Sequence, residues 1–186
     1  MKHEKVKQVA EFIAQKAQDF PLDYTPCVNW QVHFVKKNEE IQISGGTLQI
    51  GYIKIKNEIS EDKPIFIGQC TITQLKGCNG VAVMSNLKID SEIWNKGIGT
   101  YLVNLANIVC SKISYNYIIC TTKEDNMAMR SVLAKNQYKE LFEFNNLKTN
   151  NDVVFCAKSL SDHENDIFEN KFKRSVIVSI DSYEIQ

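Results

Sequence analysis

The sequence predicts an α/β domain of the mixed (α+β) kind: a mostly antiparallel sheet flanked by helices, with one central strand–helix–strand unit. Three observations carry this expectation. Apolar residues recur at helical spacing from Val6 to Phe20. The strand-like runs between Trp30 and Ile89 are separated by short turn-forming stretches, which favour antiparallel neighbours. After Ile89 the pattern changes to helix, strand, helix, strand, strand, and a strand–helix–strand crossover places a parallel pair in the sheet.

Val6, Val9, Ala10, Ile13, Ala17 and Phe20 give the N-terminal helix one apolar face, and Pro21 follows it. Leu22 to Asn29 is polar and holds Pro26, so it reads as a loop. Trp30 to Val35 alternates weakly, Thr47 to Lys56 clearly, and Pro64 to Leu75 and Val81 to Ile89 complete the early strands. Gly45-Gly46, Asn57 to Lys63 and Lys76 to Gly80 are the expected turns. Ile98, Leu102, Leu105, Ala106, Val109 and Ile113 follow a helical period. Tyr115 to Thr121 has strand length, and Asn126 to Lys135 is helical with Asp125 as its expected N-cap. Leu141 to Phe144 and Val153 to Cys156 are two last strands around the polar turn Asn145 to Asp152. A domain of residues 1–160 is thus followed by an extension, 161–186. The extension is polar from Ser161 to Lys173 and alternates at Val176, Val178 and Ile180. That short run is expected to add to a sheet edge, on its own chain or on a partner in a homodimer.

A chain of 186 residues can bury a core without metal or disulfide staples. Lys+Arg and Asp+Glu both total 22, which argues against a nucleic-acid partner held by a strong positive field. Arg130 and Arg174 are the only arginines, so bidentate phosphate clamps are few. The six cysteines form no CxxC pair and the three histidines are scattered, so no metal site is expected. The N-terminus leads into an amphipathic helix and no apolar run is long enough to span a bilayer, so a reduced, cytoplasmic compartment is expected and no membrane partner.

The chemistry concentrates between Asn86 and Thr100, where a strand ends, a tight loop follows and a helix begins near Gly99. A helix N-terminus carries unpaired N–H groups and a partial positive charge, which suits a phosphate. Gly97 and Gly99 remove side chains where phosphate oxygens would approach the backbone, and Lys96 adds a mobile cation. A bare strand-to-helix turn would use the same two glycines. Two other phosphate motifs are absent. Leu102 stands where a dinucleotide fingerprint needs its third glycine, and no Gly-Lys-Ser/Thr closes the loop as in a P-loop.

This segment resembles motif A of the GNAT acyltransferase superfamily: an apolar strand, a bend, then Gln/Arg-x-x-Gly-x-Gly/Ala opening a helix. Leu87-Lys88-Ile89 is similar to the strand end, Asp90-Ser91-Glu92-Ile93 to the bend and Gly97-Ile98-Gly99 to the glycine pair. Trp94 departs from the pattern, standing where the family has Gln or Arg. The likeness continues through Ile118 to Thr122 and Asn126, to Gln137-Tyr138 in the place of the family's Gly-Phe. It covers about Val81 to Phe144. The resemblance implies acetyl-CoA as co-substrate, with its pyrophosphate on Trp94, Asn95, Lys96, Gly97, Ile98, Gly99 and Thr100. It further implies backbone contacts at Leu87 and Ile89 and a contact from Asn126, which reads equally as a helix cap.

The implied activity is N-acetyl transfer from acetyl-CoA to an amine by direct attack, with a backbone N–H of the motif A strand facing the carbonyl oxygen. Of the two carboxylates at the bend, Asp90 lies nearer the strand end than Glu92 and is the better candidate for a general base. No tyrosine is expected as general acid, because Leu133 stands four residues before Gln137, where many members have a tyrosine. Tyr138 is expected to pack inward with its hydroxyl directed elsewhere. Cys120, in an apolar strand, reads as a buried thiol rather than a nucleophile. The rival to a transferase is a GNAT-like domain that binds acyl-CoA, or nothing, and serves as a regulatory or interaction module. The acceptor amine has no readable motif.

Overall fold

The computed structural model describes residues 2–37, 40–53 and 64–160. The expected turn at Asn57 to Lys63 lies outside them. So do the extension from Ser161 and its strand-like run at Val176 to Ile180.

Helix α1 (Lys2–Lys16) ends in a short 3-10 turn, Ala17–Asp19, before Pro21. Strands β1 (Thr25–Lys37), β2 (Glu40–Ile53), β3 (Pro64–Gln74) and β4 (Val81–Ile89) follow as successive antiparallel neighbours. Helix α2 (Ile98–Lys112) then connects β4 to β5 (Tyr117–Lys123), which pairs with β4 in parallel. After α3 (Met127–Lys135), strands β6 (Lys139–Asn146) and β7 (Asn151–Ser159) form a hairpin, and β7 pairs antiparallel with β5. The sheet order is β1-β2-β3-β4-β5-β7-β6, a mixed and mostly antiparallel sheet as the patterning predicts.

Two local expectations are corrected. The stretch Leu22 to Asn29 is a loop only in its first half, because β1 begins at Thr25 and carries Pro26 paired with Tyr52. A proline lacks an N–H and is tolerated here because β1 is an edge strand. Gly45-Gly46 is not a turn but lies inside β2, opposite His33 and Val32 at a register shift. Both glycines have positive φ, 139° and 155°. A Cβ on Gly45 would collide with the Ile72 carbonyl, and one on Gly46 with the Gln31 carbonyl. The glycines therefore serve close strand approach on either side, a bulge signal that resembles a turn signal in sequence.

The core lies between one face of the sheet and the helices. Leu102, Leu105, Ala106 and Val109 of α2 are fully buried against Leu48, Ile50, Ile72, Ala82 and Ile118 of the strands. Val9 and Ile13 of α1 join this cluster, and the Tyr101 hydroxyl ties the helices by donating to the Lys16 carbonyl at 3.1 Å. Leu133 of α3 is buried in it too.

Helix α3 ends in a left-handed cap. The Tyr138 N–H bonds the Leu133 carbonyl at 3.0 Å and the Gln137 N–H bonds the Ala134 carbonyl at 2.9 Å. Gln137 has φ 64°, a conformation in which glycine is the favoured residue. The turn that a Gly would make is kept by a Gln at a backbone cost.

Candidate functional site

The site begins with a defect in β4. Ser85 pairs with Thr71 and Lys88 with Gln69, so β4 spends one more residue than β3 over this interval. Asn86 sits at the extra position with φ 51°. Such a bulge bends the strand. On its other side, β4 stays paired with β5 only from Val81–Val83 to Tyr117–Ile119. Beyond that point the two parallel strands are no longer paired, and a cavity of about 960 Å³ opens between them.

The loop after β4 is pinned at both ends. The Asp90 N–H bonds the Ile67 carbonyl at 2.9 Å, and the Trp94 indole N–H donates to the Ile89 carbonyl at 3.0 Å. Asn95 and Gly97 both take left-handed φ values, 64° and 81°, and Gly97 is the N-cap of α2. The first helical bond of α2 runs from the Tyr101 N–H to the Gly97 carbonyl at 3.0 Å. The N–H groups of Ile98, Gly99 and Thr100 thus belong to the first turn, where no intrahelical acceptor exists. All three residues line the cavity.

Of the residues singled out from sequence, Leu87, Ile89, Trp94, Asn95, Gly97, Ile98, Gly99, Thr100 and Asn126 all line this one cavity. Lys96 and Asp90 are exposed and lie outside the lining. The Asp90 carboxylate instead accepts the Glu92 N–H at 3.1 Å and caps the 3-10 turn Ser91–Ile93. Asn126, not Asp125, is the N-cap of α3, its side-chain oxygen accepting from the Met129 N–H at 3.1 Å. It therefore acts as a cap and faces the cavity as well.

The sequence reading carried the likeness through Ile118 to Thr122 but named no site residue on the far wall. Thr121, Thr122 and Lys123 at the end of β5, and Met129, Val132 and Lys135 on one face of α3, complete the lining. Helical spacing from Asn126 would have pointed to the α3 residues. An Asn inside an apolar strand would have pointed to the bulge.

The lining carries Lys88, Lys123 and Lys135 and no Asp, Glu or His. A cationic cavity suits a polyanionic ligand and offers no side-chain carboxylate or imidazole as a base. Cys120 is in the wall, but a side-chain hydrogen bond with Cys156 and its burial push its thiol well above the ordinary range. It is therefore a poor nucleophile. Tyr138 is buried and its hydroxyl donates to Asn107 Oδ1 at 2.7 Å.

No protein-family model matches the sequence, and no curated protein matches it. Solved structures do. Nourseothricin acetyltransferase aligns at a TM-score of 0.52 and 7% identity, over 74% of this chain and 89% of that one. An acetyltransferase of the GNAT family from Streptococcus pneumoniae aligns at 0.50 and 18% identity, over 63% and 68%. The chain has the GNAT acetyltransferase fold. YncA from Salmonella typhimurium, solved with its cofactor acetyl-CoA, aligns at 0.51 and 12% identity, over 64% and 66%. At such identities the likeness is one of fold, with its β4–β5 parallel pair. Among the described residues no helix is long and apolar enough to cross a membrane.

Proposed function

We propose that the protein is an N-acetyltransferase that moves an acetyl group from acetyl-CoA to an amine. The observation that carries this reading is the cationic cavity between the unpaired ends of β4 and β5, floored by the first turn of α2. The pyrophosphate would rest on the N–H groups of Ile98, Gly99 and Thr100, with the glycine at 99 leaving room for it. Lys88, Lys123 and Lys135 would supply long-range attraction for the phosphates. The released end of β4, Leu87 to Ile89, would offer backbone N–H to the thioester carbonyl.

In the reaction the neutral amine nitrogen attacks the carbonyl carbon, forming the C–N bond and an oxyanion. Collapse of the oxyanion breaks the C–S bond, and CoA leaves as thiolate. The fixed backbone donor stabilises the oxyanion, usually the largest contribution in acyl transfer. The amine's surplus proton goes to water, because the lining holds no carboxylate or imidazole. The thiolate takes its proton from water too. Leu133, 1% exposed, stands where many family members have a tyrosine and has no proton to give.

The same features favour a second reading, a module that binds acyl-CoA without turnover. Thiol release from acetyl-CoA, measured with a panel of amines from pH 6 to 10, separates them. Amine-dependent release that rises with pH towards the amine's own pKa supports the transferase. Binding of acetyl-CoA with no release for any amine supports the module, and no binding overturns both. Mass spectrometry of ligand that co-purifies with the protein tests the cofactor and its acyl group together.

A further inference from the structure

The two faces of the sheet differ. On β4, β5 and β7 the side chains that meet the helices are Ala82, Met84, Ile118, Cys120, Val154 and Cys156. The residues between them form a second apolar cluster on the opposite face. Its members are Val81, Ile119, Phe155 and Ala157, flanked by Phe142 and Phe144 of β6. Among the described residues, all three helices belong to the first face. Over β2 and β3 the second face is polar, with Thr47, Gln49, Gln69, Thr71 and Thr73 alternating against the core residues. Asn29 of β1 donates to Gln49 there at 2.9 Å. A polar half needs only water. The centre of the apolar half is buried, but its rim at Val83, Tyr117, Phe142 and Phe144 is only partly so, and an apolar rim over four strands calls for protein cover.

The chain leaves the sheet at the end of β7, where Ser159 neighbours the rim of this apolar half and Leu160 packs against the helix-side cluster. Ser159 pairs with Tyr117, a member of the cluster's rim, and the Leu160 N–H bonds the Asn116 carbonyl at 2.7 Å. Residues 161–186 follow, and they carry Ile167, Phe168, Phe172, Val176, Val178 and Ile180. Crossing β4, β5, β7 and β6 takes three interstrand steps, about 15 Å. The segment is long enough for that even in a compact conformation.

We propose that residues 161–186 fold back over the β4–β5–β7–β6 half of this face and cover it with their apolar side chains. The segment is tethered at the rim of the cluster, so its effective concentration exceeds that of a second copy at ordinary protein concentration. This places its apolar residues on a sheet face, rather than on the hydrogen-bonding edge that the alternation at Val176 to Ile180 suggests. The cofactor cavity opens beyond Val83 and Ile119, and its lining residue Thr121 is paired with Phe155 of the cluster, so the cover borders the cavity on the other side of β5 and β7.

The test uses the full chain with Phe172 replaced by a benzophenone-bearing residue. Irradiation is expected to give crosslinks at monomer mass, mapped to peptides of β5, β6 or β7. Crosslinks only at dimer mass would assign the face to a second copy, and crosslinks to β1 would place the segment at the far edge. Either result, or none at all, overturns the proposal. In parallel, Phe142→Asp in the full chain is expected to speed tryptic cutting after Lys171, Lys173 and Arg174 several-fold. Cutting at the wild-type rate in a folded Phe142→Asp protein also overturns it. The crosslink is read on the native face, so it decides even where the variant fails to fold.

Discussion

The two glycines of the β4–α2 turn should fail in different ways, and the structure says how. Gly97 sits at φ 81°, and a Cβ there would meet only Pro21 at 3.5 Å, an ordinary contact. Gly97→Ala therefore costs chiefly the left-handed conformation, about 1–2 kcal/mol. For a chain of this length that lowers the melting temperature by about 2–4 °C per kcal/mol. Gly99 has no such constraint. A Cβ there would meet Val132 Cγ2 at 3.4 Å and Ile89 Cγ1 at 3.9 Å, both residues of the cavity wall. Gly99→Val places two more methyls in that gap, and valine is a better helix former than glycine. The fold should hold while the cavity narrows. Overpacking of this kind costs about 1–3 kcal/mol, and about 1.4 kcal/mol is tenfold in affinity. Calorimetry should show acetyl-CoA binding weakened by about tenfold or more in Gly99→Val, with a melt lowered by no more than the overpacking cost and the protein still folded. Wild-type affinity in Gly99→Val would refute the placement of the cofactor. A wild-type melt in Gly97→Ala would refute the conformational argument.

Gln137→Gly should stabilise the protein by about 1 kcal/mol, because it relieves a left-handed Gln at φ 64°; urea denaturation with a lower midpoint would contradict this. Tyr138→Phe removes a buried 2.7 Å hydrogen bond to Asn107, whose amide nitrogen already has no partner, so stability should fall by about 1–3 kcal/mol. Turnover should stay within a few-fold, whereas a general acid contributes about 10²–10⁴. Arg130 holds the Glu140 carboxylate through bonds of 2.8 and 2.7 Å and lowers its pKa from 4.5. A depressed carboxylate pKa contributes stability that is present above the unfolded value and lost as pH falls through the folded one. The stability gap between wild type and Arg130→Met should therefore be widest above about pH 4.5 and close on acidification; a gap that grows in acid would show another cause.

The sequence by itself determined the element order and the chemical character of one turn. Those are local properties. Apolar spacing sets helix or strand, and two glycines with a following apolar period set a strand-to-helix turn wherever the chain carries them. Most residues between Leu87 and Thr100 that line the cavity were named from that turn, and Asn126 and the reading of Leu133 came from the resemblance that the turn opened. What only the tertiary structure decided is what depends on neighbours distant in sequence. Gly45-Gly46 looks like a turn until β3 and β1 are placed against it, when the carbonyls of Ile72 and Gln31 show why no side chain fits. Asp90 looks like a base until its carboxylate is seen capping the next turn, away from the cavity wall. The far wall, Lys123, Val132 and Lys135, comes from β5 and α3, and only the loss of pairing beyond Val83 and Ile119 brings it opposite the β4 bulge. The period of two that marks a strand does not say which face will be covered, because cover is supplied by other elements. The sheet shows helices on one face of β4, β5 and β7 and a second apolar cluster on the other.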